Sequence, residues 1–393
     1  MIKTIRNRSV ENIVITTATP VFVGSGDTLN ATQYIYLPED NLMLIPHERD
    51  WIRFLRENNL MERYENYVRN YGLANQQGRN RSSGGAPKLA EWLKGERISK
   101  NKMAAIPGRH VKAAQIHREK AADLHLCVKN AFAQPYLPGS SLKGAIRSAV
   151  LFHQIREKEQ VRKTIWNDLM RETSNGEFMR INRGKWMGIS QQMEMKLMEI
   201  PGTRMRPTDD PFRGLQISDT MPFVSDTCLE VVQKADWSLL KESISYLTVF
   251  RESITPGVST NFQVVMDHGI LGSLVPSPDE LDKMLKGYAD FVKTLMEKHF
   301  KAGMDHPTQE YHQANLVLGA GSGFYAKSLL YALAPDPESA RKFISGLLEN
   351  SFRMHKHQRL DRSFSPRTLK LGKTEGKHLP LGWCHLEFER KRP

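Results

Sequence analysis

Hydrophobic and polar positions change their period several times along the chain, and each change marks an element. The opening pattern, Asn12-Ile-Val-Ile-Thr-Thr-Ala-Thr-Pro-Val-Phe-Val-Gly-Ser-Gly26, is β-branched, breaks at Pro20 and closes on glycines either side of Ser25. It predicts a strand ending in a tight glycine turn. Tyr34–Leu37 and Leu42–Ile45 read as further strands. At His47-Glu-Arg-Asp-Trp-Ile-Arg-Phe-Leu-Arg56 the period lengthens, with Trp51, Ile52 and Leu55 at helical spacing, so the strands feed an amphipathic helix. Leu124–Ala133 reads as a strand, and Gln134–Arg147 opens a long helix. Ser218, Thr227–Gln233 and Ile254–Met266 suggest strands, and Pro278–Phe300 carries a clear helical period. Leu316–Phe324 reads as strand, glycine loop and helix start, and Trp383–Phe388 as the last strand. Each half therefore mixes strands with helices around a strand, glycine turn and helix junction, which predicts a doubled α+β sandwich. No internal repeat is visible at the level of residues.

Between Ala74 and Lys120 the pattern lapses. Gly, Ser, Asn and Gln accumulate, and eleven Lys or Arg stand between Arg79 and Lys120 against three Glu. That composition predicts a mobile insertion. It is either a solvated loop without function or a loop that closes over a nucleic-acid strand. With 393 residues the chain can build more than one core. The expected units are residues 1–210, carrying the basic insertion near 74–120, and 211–393, carrying the glycine-rich loop.

Charge narrows the partners. The formal net charge of +13 calls for a polyanion or is tolerated as self-repulsion, so the chain is either a nucleic-acid binder or merely a basic protein. Cys127, Cys228 and Cys384 lie far apart without a CxxC pair, which points to neither a disulfide framework nor a thiolate metal site. No apolar run approaches the roughly 20 residues that span a bilayer, and the basic Met1–Ser9 start has no apolar signal core behind it. A cytoplasmic protein without a membrane partner is expected.

The candidate chemistry centres on Pro138 to Arg147. Pro138 and Gly139 precede a helix whose first turn offers Ser140 and Ser141 and free backbone N–H groups, an end that attracts phosphate. Leu142, Ile146, Ala149 and Val150 recur at i, i+4, i+7 and i+8 and must face the core. Lys143 and Arg147 then share a different face, about 6 Å apart in rise. Gly144, inside the helix, costs about 1 kcal/mol against alanine, so either a packed neighbour or a nucleotide approaches its backbone.

The run Pro138-Gly-Ser-Ser-Leu-Lys-Gly-Ala-Ile-Arg147 resembles, in register, the signature of the RAMP superfamily of CRISPR ribonucleoproteins. Val21-Phe-Val-Gly-Ser-Gly26 is similar to that family's first strand and glycine turn. Asp210-Pro-Phe-Arg-Gly-Leu-Gln-Ile-Ser-Asp219 resembles its central element, and Gly319-Ala-Gly-Ser-Gly323 its late glycine-rich loop. With the Pro380-Leu-Gly-Trp-Cys-His-Leu-Glu-Phe388 strand, the set is more similar to the cap-subunit branch of the type III-A (Csm) effectors than to the shorter backbone or repeat-tag-binding branches. The resemblance implies an α+β RAMP fold with a ferredoxin-like (RRM-like) core, in two units with insertions. It also implies a non-catalytic subunit that caps the complex, holds the 3′ region of the guide crRNA and supports crRNA maturation and antiviral defence. The implied partners are the guide, other Csm-complex RAMP subunits and a host nuclease that trims the crRNA. The residues expected at the RNA are Gly24, Ser25, Gly26, Ser140, Ser141, Lys143, Arg147, Arg213, Gly319, Gly321, Gly323 and Lys327. Glycine turns and helix starts hold phosphates, and Lys or Arg neutralise them without reading sequence, which suits a guide whose spacer varies.

Three further sites are weighed against this reading. His47 stands roughly where acid–base ribonucleases of the superfamily carry a histidine, but such chemistry needs a second group within reach and the sequence shows none. Asp27, directly after Gly26, is the counterpart of a slicing aspartate, yet Thr28-Leu-Asn-Ala-Thr-Gln departs from the slicing pattern and aspartate favours turns. A metal-independent RAMP endoribonuclease is the alternative function. The Gly319–Gly323 loop lacks the Lys-Ser/Thr ending of a P-loop and the full GxGxxG spacing, so no cofactor is expected. Arg353–Arg362 reads as a basic loop, because its histidines at i and i+2 share no helix face for a metal.

Overall fold

The β-branched run at the start becomes the first strand of the computed structural model, which describes residues 7–77, 87–113, 123–173, 183–202, 206–224, 227–305, 308–374 and 376–389. The strands are β1 (Arg8–Thr17), β2 (Gly24–Leu29), β3 (Ile35–Leu37), β4 (Leu42–Pro46), β5 (Gly108–Ala113), β6 (Asp123–Cys127) and β7 (Leu215–Ile217). They continue as β8 (Leu229–Ser238), β9 (Ser243–Ile254), β10 (Ser259–Asp267), β11 (Leu316–Val317), β12 (Thr368–Thr374), β13 (Lys377–Pro380) and β14 (Trp383–Phe388). A five-stranded sheet has the order β11-β14-β1-β10-β7. The nine-stranded sheet runs β2-β6-β9-β8-β5-β4-β3, with β12 on the other half of β8 and β13 beside β12. Within it β5 pairs with β8, and β6 with β9, in parallel. The fold is mixed α+β, as expected. Each sheet takes strands from both sides of residue 210, so that position marks no break between sheets.

β1 lies in the middle of its sheet, with Ile13 and Ile15 fully buried. The helix Gly139–Glu157 buries Leu142, Ile146, Ala149 and Val150, the stripe its spacing predicts. Phe152 of that helix meets Tyr288 and Phe291 of the helix Pro278–Phe300 at ring distances of 5.3 and 4.8 Å. The second helix begins where its caps require. Ser277 Oγ accepts from the Glu280 N–H at 3.2 Å, Pro278 opens the first turn, and Asp279 and Glu280 complement the positive end of the helix dipole.

The insertion differs from its composition. Residues 78–86 and 114–122 lie outside the described residues, but the intervening chain is folded. It forms helices Leu89–Gly95 and Lys100–Ala104 and then β5. Leu89, Leu93, Ile98, Met103 and Ile106 are buried with Trp51, Leu55 and Tyr67 in a core of their own. The apolar residues are few and widely spaced, so the Lys, Arg and Ser around them hide the pattern. Excising residues 76–102 would therefore remove part of a core, contrary to the expectation of a dispensable loop.

Two strands end earlier than their apolar runs. Asn130 Oδ1 accepts from the Phe132 and Gln134 N–H groups, a side-chain turn that stops β6 at Cys127. Ile254–Met266 divides at Thr255–Val258, where Gly257 donates its N–H to the Thr17 carbonyl at 2.7 Å. No helix among the described residues is long and apolar enough to cross a membrane.

Candidate nucleic-acid interface

The start of the Gly139–Glu157 helix is covered by the segment Asp210–Thr220. Gly139 donates its N–H to Asp219 Oδ1 at 2.8 Å, and Leu137 donates to Thr220 Oγ1 at 3.0 Å. The Ser141 N–H turns back to the Pro138 carbonyl, while Ser140 is exposed. The helix start thus carries a carboxylate of its own chain, which satisfies part of the attraction for an anion that the sequence suggests.

Lys143 and Arg147 are also engaged. Lys143 Nζ donates to the Leu215 carbonyl at 2.7 Å, and burial lowers its pKa. Arg147 donates to Glu194 Oε2 from Nε and Nη2 and to Asp210 Oδ2 from Nη1, with its guanidinium 4.5 Å from the centre of the Phe212 ring. Burial works against the charge of Arg147, but Glu194 and Asp210 outweigh it and raise its pKa. The sequence places this arginine on an open face because its partners stand 47 and 63 residues away. Arg147→Ala is therefore expected to cost about 1–3 kcal/mol of stability, because two partly buried carboxylates lose their donor. Chemical denaturation measures it, and a change inside ±0.5 kcal/mol would return Arg147 to the surface class.

Gly144 is exposed, and a Cβ there would meet nothing within 4 Å. The packed-neighbour explanation for this glycine is thereby removed. Arg213 is exposed in the turn Pro211–Gly214, whose first N–H groups are held by Asp210. Lys327 and Arg147 line the same cavity, of about 300 Å³, so the signature run and the late glycine loop are neighbours.

The glycine loop also meets the first glycine turn. The Ala320 N–H donates to the Phe22 carbonyl at 2.8 Å, two residues before Gly24, while Gly382 donates to Pro20 and accepts from Leu318. Gly319, Gly321 and Gly323 all have positive φ, at 82°, 97° and 92°. β2 is the edge of its sheet, and Gly24, Ser25 and Gly26 lie exposed on it. Ser25 Oγ donates to Asp27 Oδ2 and accepts the Asp27 N–H, so Asp27 is held as a turn residue. His47 precedes the helix Glu48–Glu57 and donates its backbone N–H to the Pro107 carbonyl.

Arg251, which the sequence did not single out, stands at this junction. Its guanidinium lies 5.1 Å from the centre of the Phe22 ring, and Nη1 donates to the Ala320 carbonyl at 3.1 Å. Lys234 and Lys327 are within its electrostatic reach. Burial lowers the pKa of all three, and Arg251 lowers those of both lysines further. None of the three makes an ion pair among the described residues; Asp236, which raises the pKa of Lys234 and Arg251, is itself paired with Lys370 at 2.6 Å. Lys327 sits in a turn, its N–H on the Phe324 carbonyl, and the next helix starts only at Leu330. Nothing local marks Arg251 in the sequence, since it is one cation in a half-polar strand.

The family model of the RAMP superfamily matches residues 14–349. The chain belongs to the RAMP superfamily. This RAMP is similar to the CRISPR system Cms protein Csm5 of Streptococcus thermophilus, with 24% identity over 317 residues covering 80% of this chain and 78% of that protein. It is likewise similar to Csm5 of Mycobacterium tuberculosis (strain CDC 1551 / Oshkosh), with 23% identity covering 94% and 95% of the two chains. Among solved structures it resembles a chain of a Csm–crRNA–target RNA ternary complex of a type III-A CRISPR-Cas system. There the TM-score is 0.63 at 20% identity, over 96% of this chain and 100% of that one. It also resembles Csm5 of T. onnurineus, with a TM-score of 0.60 at 18% identity, over 95% and 99%. The RAMP thus shares both fold and family with the proteins its motifs resemble.

Proposed function

We propose that this RAMP is a non-catalytic, RNA-binding subunit of a type III-A Csm ribonucleoprotein that caps the complex and holds the 3′ region of the guide crRNA. The observation that carries the reading is the junction of Phe22–Gly26 with Gly319–Gly323, where Lys234 and Lys327 lie within electrostatic reach of Arg251 and none of the three makes an ion pair among the described residues. An arginine that lowers the pKa of two lysines marks a positive potential that an anion relieves. The exposed turn Gly24–Gly26 beside them offers backbone to a phosphate. The similarity to Csm5 proteins and to a chain of a crRNA-bound complex supports the same assignment. Two ferredoxin-like units, the contacts with neighbouring RAMP subunits and the meeting with a trimming nuclease belong to this proposal. So do Ser140, Ser141 and Arg213, exposed or half-exposed beside the signature helix, and Gly144, whose open backbone leaves room for a nucleotide. Lys143 and Arg147 serve in it as braces for that helix.

Lys234→Ala/Lys327→Ala is expected to make the slope of log affinity against log salt shallower by about 1.4, since each single-strand phosphate contact contributes roughly 0.7. The loss should be equal for two RNAs of unrelated sequence, because phosphates carry none. Titrations at several salt concentrations supply the comparison, and an unchanged slope would move the RNA path elsewhere. Incubating the wild type with labelled repeat RNA in EDTA tests the absence of catalysis. Intact RNA is the expected result, and cleavage would establish the endoribonuclease instead.

A further inference from the structure

The stretch Arg353–Arg362 reads as a basic loop in the sequence but is folded on a buried carboxylate. Asp361 is fully buried, with His357 Nδ1 at 2.8 Å, Ser365 Oγ at 2.7 Å and Arg367 Nη1 at 2.5 Å. That anchor fixes a turn from which the neighbouring side chains stand outward. Phe352 is 53% exposed and Met354 91% exposed. Arg353, His355, Lys356, Arg359 and Arg362 are exposed around them, and the four cations among these have no ion-pair partner among the described residues.

Beside this segment opens a cavity of about 560 Å³, between the β8–β9 hairpin, the start of β12 and the end of the helix Pro337–Ser351. Its volume falls within the roughly 300–1,000 Å³ of small-ligand sites. Phe352 and His355, with rings edge-to-face at 6.0 Å, form one wall. Phe324, directly after the glycine loop, lines it too, and Lys241, Arg367 and Lys370 supply cations. Lys370 is paired with Asp236 at 2.6 Å, and it also lies within electrostatic reach of Lys234 in the junction described above. Phe324 and Lys370 thus bring the cavity beside the glycine-loop junction.

We infer that this cavity is a nucleobase-stacking subsite for single-stranded RNA, in which a base stacks on Phe352 with the His355 ring at its edge, while Arg353, Lys356 and Lys241 meet the flanking phosphates. The inference rests on the RNA-binding reading above and extends the strand's path past Gly323 and Phe324. Exposed aromatic rings interleaved with unpaired cations match a strand whose bases offer π-faces and whose backbone is anionic. Stacking needs no particular base, so the subsite tolerates any sequence.

Short labelled oligouridylate and oligoadenylate, titrated into the full chain, test it with Phe352→Ala and Phe352→Trp. Phe352→Ala is expected to weaken both RNAs by between about fivefold and a hundredfold, the range of one lost base–aromatic stack, with an unchanged melting temperature because the ring is exposed. Phe352→Trp should keep the affinity, and its emission, measured above the native tryptophans, should fall when RNA saturates the protein. If Phe352→Ala proves less stable, the tryptophan variant decides: quenching supports the subsite, and constant emission overturns it. Wild-type binding with an unaltered Phe352→Ala affinity overturns the subsite and leaves the glycine-loop site standing. No RNA binding by the wild type overturns both. Normal RNA binding by Phe352→Ala, together with lost binding to another RAMP subunit, would make this face a protein contact and reject the inference.

Discussion

Replacing Glu252 with alanine is expected to lower the unfolding free energy by about 3–5 kcal/mol, the cost of leaving buried charge without its partner. Glu252 is fully buried on β9. It takes the guanidinium of Arg109 from β5, the ammonium of Lys129 just beyond β6, and the Cys127 N–H at 3.2 Å. Both cations are themselves largely withdrawn from solvent, with side chains 27% and 13% exposed. Removing the carboxylate strands them beside each other. Adding Arg109→Ala should recover part of the loss, since it removes one of the two stranded charges, and the double-mutant cycle reads that coupling directly. Denaturant titration of the four proteins is the measurement. A single-mutant loss below about 1 kcal/mol would mean that both cations reach water and that the carboxylate does not hold the sheet.

Gly319→Ala and Gly321→Ala should separate stability from binding, although the residues are two apart with similar dihedral angles. A Cβ on Gly319 would lie 2.4 Å from the Phe22 carbonyl oxygen, which the Ala320 N–H already holds. Backbone cannot step aside there without breaking the junction. With the strain of positive φ, about 1–2 kcal/mol for a residue with a side chain, the total should exceed about 3 kcal/mol. On Gly321 the new Cβ would lie 2.1 Å from Arg251 Nη1 and 2.8 Å from a Leu381 methyl group, both ends of side chains that can move. Gly321→Ala should therefore stay within about 1–3 kcal/mol while displacing the arginine, so its folded fraction binds RNA more weakly. Equal losses of stability in the two variants would show that the loop is uniformly structural.

The sequence makes legible what depends on neighbours along the chain. Pro278–Phe300 and Trp383–Phe388 match the structure end to end, because helical period, caps and a strand's aromatic content are local. The stripe Leu142, Ile146, Ala149 and Val150 is buried for the same reason. What the sequence hides depends on distant partners. Arg147 reads as an open cation because Glu194 and Asp210 are brought to it only by the fold. Leu89, Leu93 and Ile98 read as parts of a loop because their core is completed by Trp51 and Leu55, from before the basic stretch. The helix Pro337–Ser351, by contrast, carries local signals, with Asp336 as its cap, Pro337 in the first turn and Ala340, Phe343 and Ile344 on its buried face. At the candidate site, the glycines were visible through turn chemistry and family resemblance. Arg251 was not, because its role follows from Phe22 and Ala320 meeting it from far along the chain.

The pairing of β1 sets the order in which the molecule can be made. β1 is bonded on one side to β10, with Ile13 opposite Phe262, and on the other to β14, with Val14 opposite Glu387. A chain leaving the ribosome therefore carries β1 without either neighbour until some 250 further residues have emerged, and without the second until about 370 have. During that interval an apolar strand with two open edges invites the wrong partner. Closing of this sheet thus waits on synthesis of β14, and a stalled or truncated chain that lacks β14 would expose a sticky edge instead of folding in part.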